Sequence, residues 1–239
     1  MAENSGIFIN ALSLIVSFNT DLMEIIGLSL YVSLMALFFA TLIGLPLGAL
    51  LATKKFPGSG SLQVIVNAFM GMPPVVAGLV VYMLLSRSGP LGLLGLLYTP
   101  SAMIIAQCLL IFPILAALSR QVIEDLNIEY DELFRSLRIP ASTRIKTLLW
   151  ESRISLLTVL LAGFGRAIAE VGAVMIVGGN IEHSTRTMTT SIQMEISKGN
   201  LELAMALGII LLTLSLSINI LMQYAKKRFM HLQGELRDE

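Results

Sequence analysis

Arg166 and Glu170 are the only charged residues between Arg153 and Glu182. Arg166 lies 13 residues past Arg153, about 20 Å along a helix at the usual rise. Four positions apart, Arg166 and Glu170 share one helix face and can pair. Ionisable residues this deep in an apolar stretch face an interior and commonly serve a function. Two readings stay open. The pair fixes helix packing, or it lines a translocation path or a subunit interface. A guanidinium matches tetrahedral oxyanions well, whereas Glu170 opposes a freely anion-selective pore and can neutralise the arginine at rest.

Two further stretches carry chemistry. Thr185-Arg186-Thr187-Met188-Thr189-Thr190-Ser191-Ile192 reads either as a turn with a short helix or as a set of donors for an oxyanion. Pro73 and Pro74 interrupt an apolar run. Proline removes a backbone donor and kinks a helix, and the freed carbonyls need neighbours or water in a cavity. The kink serves packing, or it shapes a pathway or gate. Pro73, Pro74, Arg166, Glu170, Gly172, Thr185, Arg186 and Thr187 are therefore the pathway and gate candidates.

These residues need helices to hold them, and the chain is rich in apolar runs. Of 239 residues, 55% are hydrophobic and 13% charged, about half the usual charged share. Mean hydropathy is +0.81. Those figures exclude a disordered chain and argue against a water-soluble domain. Zero net charge argues against a nucleic-acid partner. One cysteine, Cys108, leaves no intrachain disulfide and no cysteine-based zinc site. His183 and His231 make a poor metal site.

Positions 25–52, 56–86, 88–119 and 203–225 carry no charge, and each is long enough to cross a bilayer. Positions 154–177 add a fifth span, uncharged but for Arg166 and Glu170. Gly44 and Gly48, four apart in the first span, suit close helix contact. The apolar run 7–18 is too short to cross easily. Its Asn10, Ser13 and Ser17 share a helix face, as in a surface-lying amphipathic helix. The expected architecture is all-α: a polytopic bundle of five core transmembrane helices plus that short helix. Residues 1–20 form the lateral segment, 21–225 the transmembrane domain, and 226–239 a tail.

Five alternating spans sort the basic residues by side. Lys54, Lys55, Arg120, Arg135, Arg138, Arg144, Lys146, Arg153, Lys226, Lys227, Arg228 and Arg237 fall together. Arg87, Arg186 and Lys198 fall opposite. The positive-inside rule then places the N-terminus outside and the C-terminus in the cytoplasm of a cell-membrane protein. Residues 120–153 become the one substantial cytoplasmic loop, either solvated with a short helix or a docking surface. Asn127 or Asp131 suits a helix cap there, and Ile139-Pro140 a stop.

Within that loop, Tyr130-Asp131-Glu132-Leu133-Phe134-Arg135-Ser136-Leu137-Arg138-Ile139-Pro140 resembles the EAA loop of ABC importer permeases. That motif reads EAA, three residues, Gly, then nine residues, Ile, one residue, Leu-Pro. Aligned on Glu132, the chain has Leu133 and Phe134 for the alanines and Arg138 for the glycine. Further on it has Leu148 for Ile and Trp150-Glu151 for Leu-Pro. Pro-Pro-Val-Val-Ala-Gly at 73–78, Gly89-Pro90-Leu91-Gly92, and 165–180 followed by 185–192 resemble permeases for molybdate, tungstate and sulfate, most of all tungstate. The resemblance spans roughly 25–225.

The resemblance implies a type I ABC importer permease fold and an ATP-driven importer of an oxyanion, most of all tungstate. It implies two ATPase subunits that bind ATP and magnesium, an extracytoplasmic oxyanion-binding protein, and a second copy of this chain, all meeting at a lipid bilayer. Asp131 to Pro140 would dock on the ATPase as a coupling helix. The chain itself holds no GxxxxGK[ST] loop and no Ser-His-Asp, HExxH or GxSxG pattern, so it is expected to be no enzyme and to carry no cofactor. The alternative is an autonomous secondary transporter or channel for a small anion. Such folds often show inverted repeats, and none is visible here.

Overall fold

A computed structural model describes residues 20–54 and 56–235. The amphipathic segment expected at the N-terminus lies outside the described residues. Among those described there are ten α-helices and one 3-10 turn, with no strand. We label them α1 (Thr20–Thr53), α2 (Ser59–Met70), α3 (Pro74–Leu85), the 3-10 turn Gly92–Leu94, α4 (Pro100–Glu129), α5 (Asp131–Ser136), α6 (Ala141–Glu151), α7 (Arg153–Ile168), α8 (Gly172–Gly178), α9 (Met188–Lys198) and α10 (Leu201–Glu235).

Three helices are long and apolar enough to cross a membrane, and five crossings result if each of two bent pairs counts as one. Their outward faces are greasy, as lipid contact requires. Phe38, Leu42, Leu212, Leu216 and Ile220 are all exposed.

Two spans differ from expectation. Pro73-Pro74 makes a break rather than a kink: α2 and α3 are separate helices bent by 105°. Pro73 is extended at φ −61°, ψ 132°, and Pro74 is the first residue of α3. That is where a missing N–H costs no helical hydrogen bond. Positions 154–177 are likewise not one helix, because the chain leaves helical geometry at 169–171 between α7 and α8. Beyond the last span, α10 continues helically into the segment expected to be a tail.

Contacts divide the described residues into two compact units. One takes in 20–36, 73–107 and 165–218, the other 37–72, 108–164 and 219–235, without position 55. In the first unit α3 packs along α8. A Cβ on Gly78 would lie 2.8 Å from the Ala173 Cα, so only glycine allows this backbone approach. In the second unit α1 crosses α4 at Gly44 and Gly48, where a Cβ would strike Leu115 and Ser119. This is the small-residue packing expected of that pair. Ala49, Ile123, Phe134 and Leu148 form the core beneath α5 and α6.

Candidate functional site

In the first unit, the break between α7 and α8 is built around Glu170. Helix α7 ends at Ile168, so Glu170 is not on its face one turn above Arg166. The pair forms nonetheless, with Arg166 Nη1 2.5 Å from Glu170 Oε2. The other carboxylate oxygen accepts from the Ala173 N–H at 2.9 Å, an orphan donor in the first turn of α8. The side chain of Glu170 is 2% exposed and that of Arg166 31%. Glu170 therefore ties the end of one helix to the start of the next. The backbone around it is also held: Thr189 Oγ1 donates to the Glu170 carbonyl at 2.8 Å, and Gln107 Nε2 to the Ala167 carbonyl at 3.1 Å. Gly172 sits where a Cβ would press on Val75 at 3.2 Å. The α7–α8 break thus lies against the start of α3, beside Pro73 and Pro74.

The threonine-rich segment is not a row of free donors. Thr185, Thr187, Thr189, Thr190 and Ser191 are all buried. Thr185 Oγ1 donates to the Gly178 carbonyl at 2.5 Å and accepts from the Ile181 N–H. Thr190 Oγ1 donates to Asn180 Oδ1 at 2.9 Å and accepts from the Thr187 N–H. These bonds stitch α9 to the glycine stop of α8, where Gly179 has φ +72°. Arg186 Nη1 lies 2.8 Å from Glu182 Oε1. Most of the donors nominated for an oxyanion are thus spent within the fold, while the buried Ser191 Oγ and Arg186 Nε have no partner among the described residues.

In the second unit, the segment after α4 is helical almost throughout. Neither Asn127 nor Asp131 caps α5: its N-cap is Tyr130, and no side chain caps it. Both instead bind Arg144. Its Nε donates to Asn127 Oδ1 at 2.7 Å and its Nη2 to Asp131 Oδ1 at 2.8 Å. Its guanidinium lies 5.1 Å from the centroid of Phe134, within cation–π range. One side chain on α6 thereby grips the end of α4 and both the start and the face of α5. Of the docking candidates, Phe134 points inward at 4% exposure, and Ile139 packs against the same core. Asp131 is occupied by Arg135 and Arg144. Glu132, Leu133, Arg135, Ser136, Leu137, Arg138 and Pro140 are exposed.

A family model described as the binding-protein-dependent transport system inner membrane component matches residues 44–231. The chain belongs to this family. It is a transport permease and a multi-pass membrane protein. The probable anion ABC transporter permease protein of Haloferax volcanii is 41% identical, over 84% of this chain and 89% of the relative. The tungstate uptake system permease protein TupB of Peptoclostridium acidaminophilum is 40% identical, over 82% and 86%. TupB of Campylobacter jejuni is 36% identical, over 70% of each chain.

The permease's α5 explains one departure from the EAA motif. Leu137 caps α5, and Arg138 follows with φ +49°. The Ile139 N–H returns to the Phe134 carbonyl at 3.0 Å. This is the Schellman closure, whose left-handed residue is usually glycine. The motif's glycine aligns with Arg138, so this permease places at the left-handed position a residue that strains it.

Sequence reasoning missed Arg144, Gln107 and Ser29. Ser29 Oγ accepts from the Met188 N–H at 2.8 Å, across 159 positions. Buried serine and glutamine in long apolar runs were the available signal.

Proposed function

We propose that two copies of this permease form the membrane path of an ATP-driven importer for tungstate, with molybdate or sulfate as the nearest alternatives. Two named relatives take up tungstate, and a third is a probable anion permease. The observation that carries the coupling role is the Arg144 clasp. It fixes α5 to α4 and α6, so a push on the exposed Glu132, Leu133, Arg135 and Leu137 moves the three helices together. A floppy loop would absorb that push. The ATPase subunits bind ATP and magnesium, while this chain supplies a path with two alternative openings.

On this reading the transmembrane domain is 21–225, the coupling segment about 120–153, and the N-terminus is outside. The bent pair of α2 and α3 counts as one crossing, α7 carries another while α6 stays in the coupling segment, and the basic face is cytoplasmic. Labelling of Lys54→Cys and Arg87→Cys with an impermeant thiol reagent in a Cys108→Ala background checks the topology. Arg87→Cys alone should label from the outside; protection of both would mean that α2 and α3 re-enter rather than cross.

The functional test reconstitutes the chain with its ATPase and binding protein and follows tungstate, molybdate and sulfate uptake. ATP-dependent uptake with tungstate preferred is the expected result. A chain that never co-purifies with an ATPase, and moves anions without ATP, would refute it.

A further inference from the structure

We propose that the cleft at the end of α3 is a subsite for a tetrahedral oxyanion, with Arg87 as its charged donor. The role in transport rests on the importer reading; the binding chemistry does not. The cleft has a volume of about 650 Å³ and is lined by Tyr82, Ser86, Arg87, Ser88 and Tyr98 among others, with no carboxylate in its wall. Arg87, Arg186 and Lys198 are the basic residues on the sparsely charged side. Arg186 is neutralised by Glu182, and Lys198 by Glu195. Arg87 has no ion-pair partner among the described residues.

The cleft is built rather than incidental. The Leu91 N–H reaches back to the Leu84 carbonyl at 3.0 Å, and the Gly89 N–H to Ser86 at 2.8 Å. A Cβ at Gly89 would strike the carbonyls of Met83 and Leu84, and one at Gly92 that of Ser86. The Gly89-Pro90-Leu91-Gly92 string is thereby explained: two glycines let the chain fold back over the helix end and hold Arg87 beside Ser86 and Ser88. On the far wall Tyr98 sits at φ +62°, a strained conformation of the kind that gathers at functional sites. Its N–H is anchored to the Val177 carbonyl at 2.9 Å, and its ring meets that of Tyr82 edge-on at 6.4 Å. Arg87 shares the cleft with both tyrosines and with Ser86 and Ser88. The two serine hydroxyls meet at 3.3 Å and Ser86 Oγ also donates to the Met83 carbonyl, which leaves the guanidinium as the charged donor for the oxygens of a tetrahedral anion.

That chemistry has two sources, a free dianion or a lipid phosphate headgroup, and we assign the cleft to the free dianion. Calorimetry on the full-length chain decides, with tungstate and sulfate as probes, in phosphate-free maltoside micelles and in phospholipid nanodiscs. The expected result is saturable binding in both. Arg87→Gln weakens it at least tenfold, Lys198→Gln less than twofold, and Arg87→Lys only in part, with unchanged thermal unfolding. No saturable binding, or an Arg87→Gln chain that binds like wild type, overturns the proposal. Binding in micelles that phospholipid abolishes gives the cleft to lipid phosphate and overturns it as well. Uptake by the assembled transporter is read separately. A complex that moves no oxyanion refutes the importer reading, whereas normal uptake in Arg87→Gln refutes only the subsite.

Discussion

Arg166 and Glu170 remain paired at 2.5 Å even though the helix carrying the arginine ends two residues before the glutamate. Removing the arginine leaves a nearly fully buried carboxylate with only the Ala173 N–H as partner among the described residues. Breaking a wholly buried pair costs about 3–5 kcal/mol. Arg166 is about one third exposed, so we expect on the order of 2 kcal/mol here, taking the screening of exposed pairs into account. Arg166→Ala should therefore lower the assembled fraction and uptake more than Arg186→Ala, whose partner Glu182 is 65% exposed. Size-exclusion yield and reconstituted uptake check this. Wild-type uptake in Arg166→Ala would show that the pair is dispensable.

Arg144 predicts a separation of coupling from folding. Arg144→Gln gives up a charged hydrogen bond to Asp131 and the contact with Phe134, worth about 1–3 kcal/mol to this segment. Uptake per ATP hydrolysed should fall by more than the loss of assembled complex. Arg144→Lys should rescue folding better than coupling, because an ammonium cannot reproduce the planar fork. Equal losses in assembly and coupling would reduce Arg144 to a purely structural role.

The exposed face of α5 predicts a docking phenotype. Reversing Glu132 and Arg135, by Glu132→Lys with Arg135→Glu, should weaken ATPase association or uncouple hydrolysis from uptake. Unchanged uptake would remove α5 from the docking surface.

At the strained turn, Arg138→Gly should instead stabilise the segment by about 1 kcal/mol, since glycine adopts φ +49° freely. A thermal shift downward in Arg138→Gly would mean that the arginine side chain contributes more than the turn gains.

His183 Nδ1 lies 2.8 Å from Glu24 Oε2. The hydrogen bond and charge of Glu24 hold the imidazole above its ordinary pKa, helped by Glu182 and Asp21 and opposed by slight desolvation. A raised folded-state pKa means that this tie is fully present below about pH 6.5 and is lost as pH rises through the higher value. Histidine NMR on a His231→Asn background should show titration above the ordinary imidazole range, returning toward it in Glu24→Gln. Identical titrations in the two chains would mean that the contact does not form.

The sequence by itself determined that this is a helical membrane protein, where its long apolar runs lie, and that Arg166 and Glu170 can pair. Hydrocarbon length and the penalty on buried charge are properties of local runs, and each can be read without knowing what packs where. It also located the segment holding α5, through charge placement and the EAA-like string. Only the tertiary structure decided how two of those spans are broken and which polar groups remain available. Prolines 73 and 74 are compatible with a kink or a break, and the close approach of Gly78 to Ala173 accompanies the break. The hydroxyls of Thr185, Thr189 and Thr190 look free in sequence, but their partners are carbonyls and an amide oxygen brought near only by folding. Glu182, four residues before Arg186, offers it a partner already in the sequence, and the fold forms that pair while setting no carboxylate in the cleft beside Arg87.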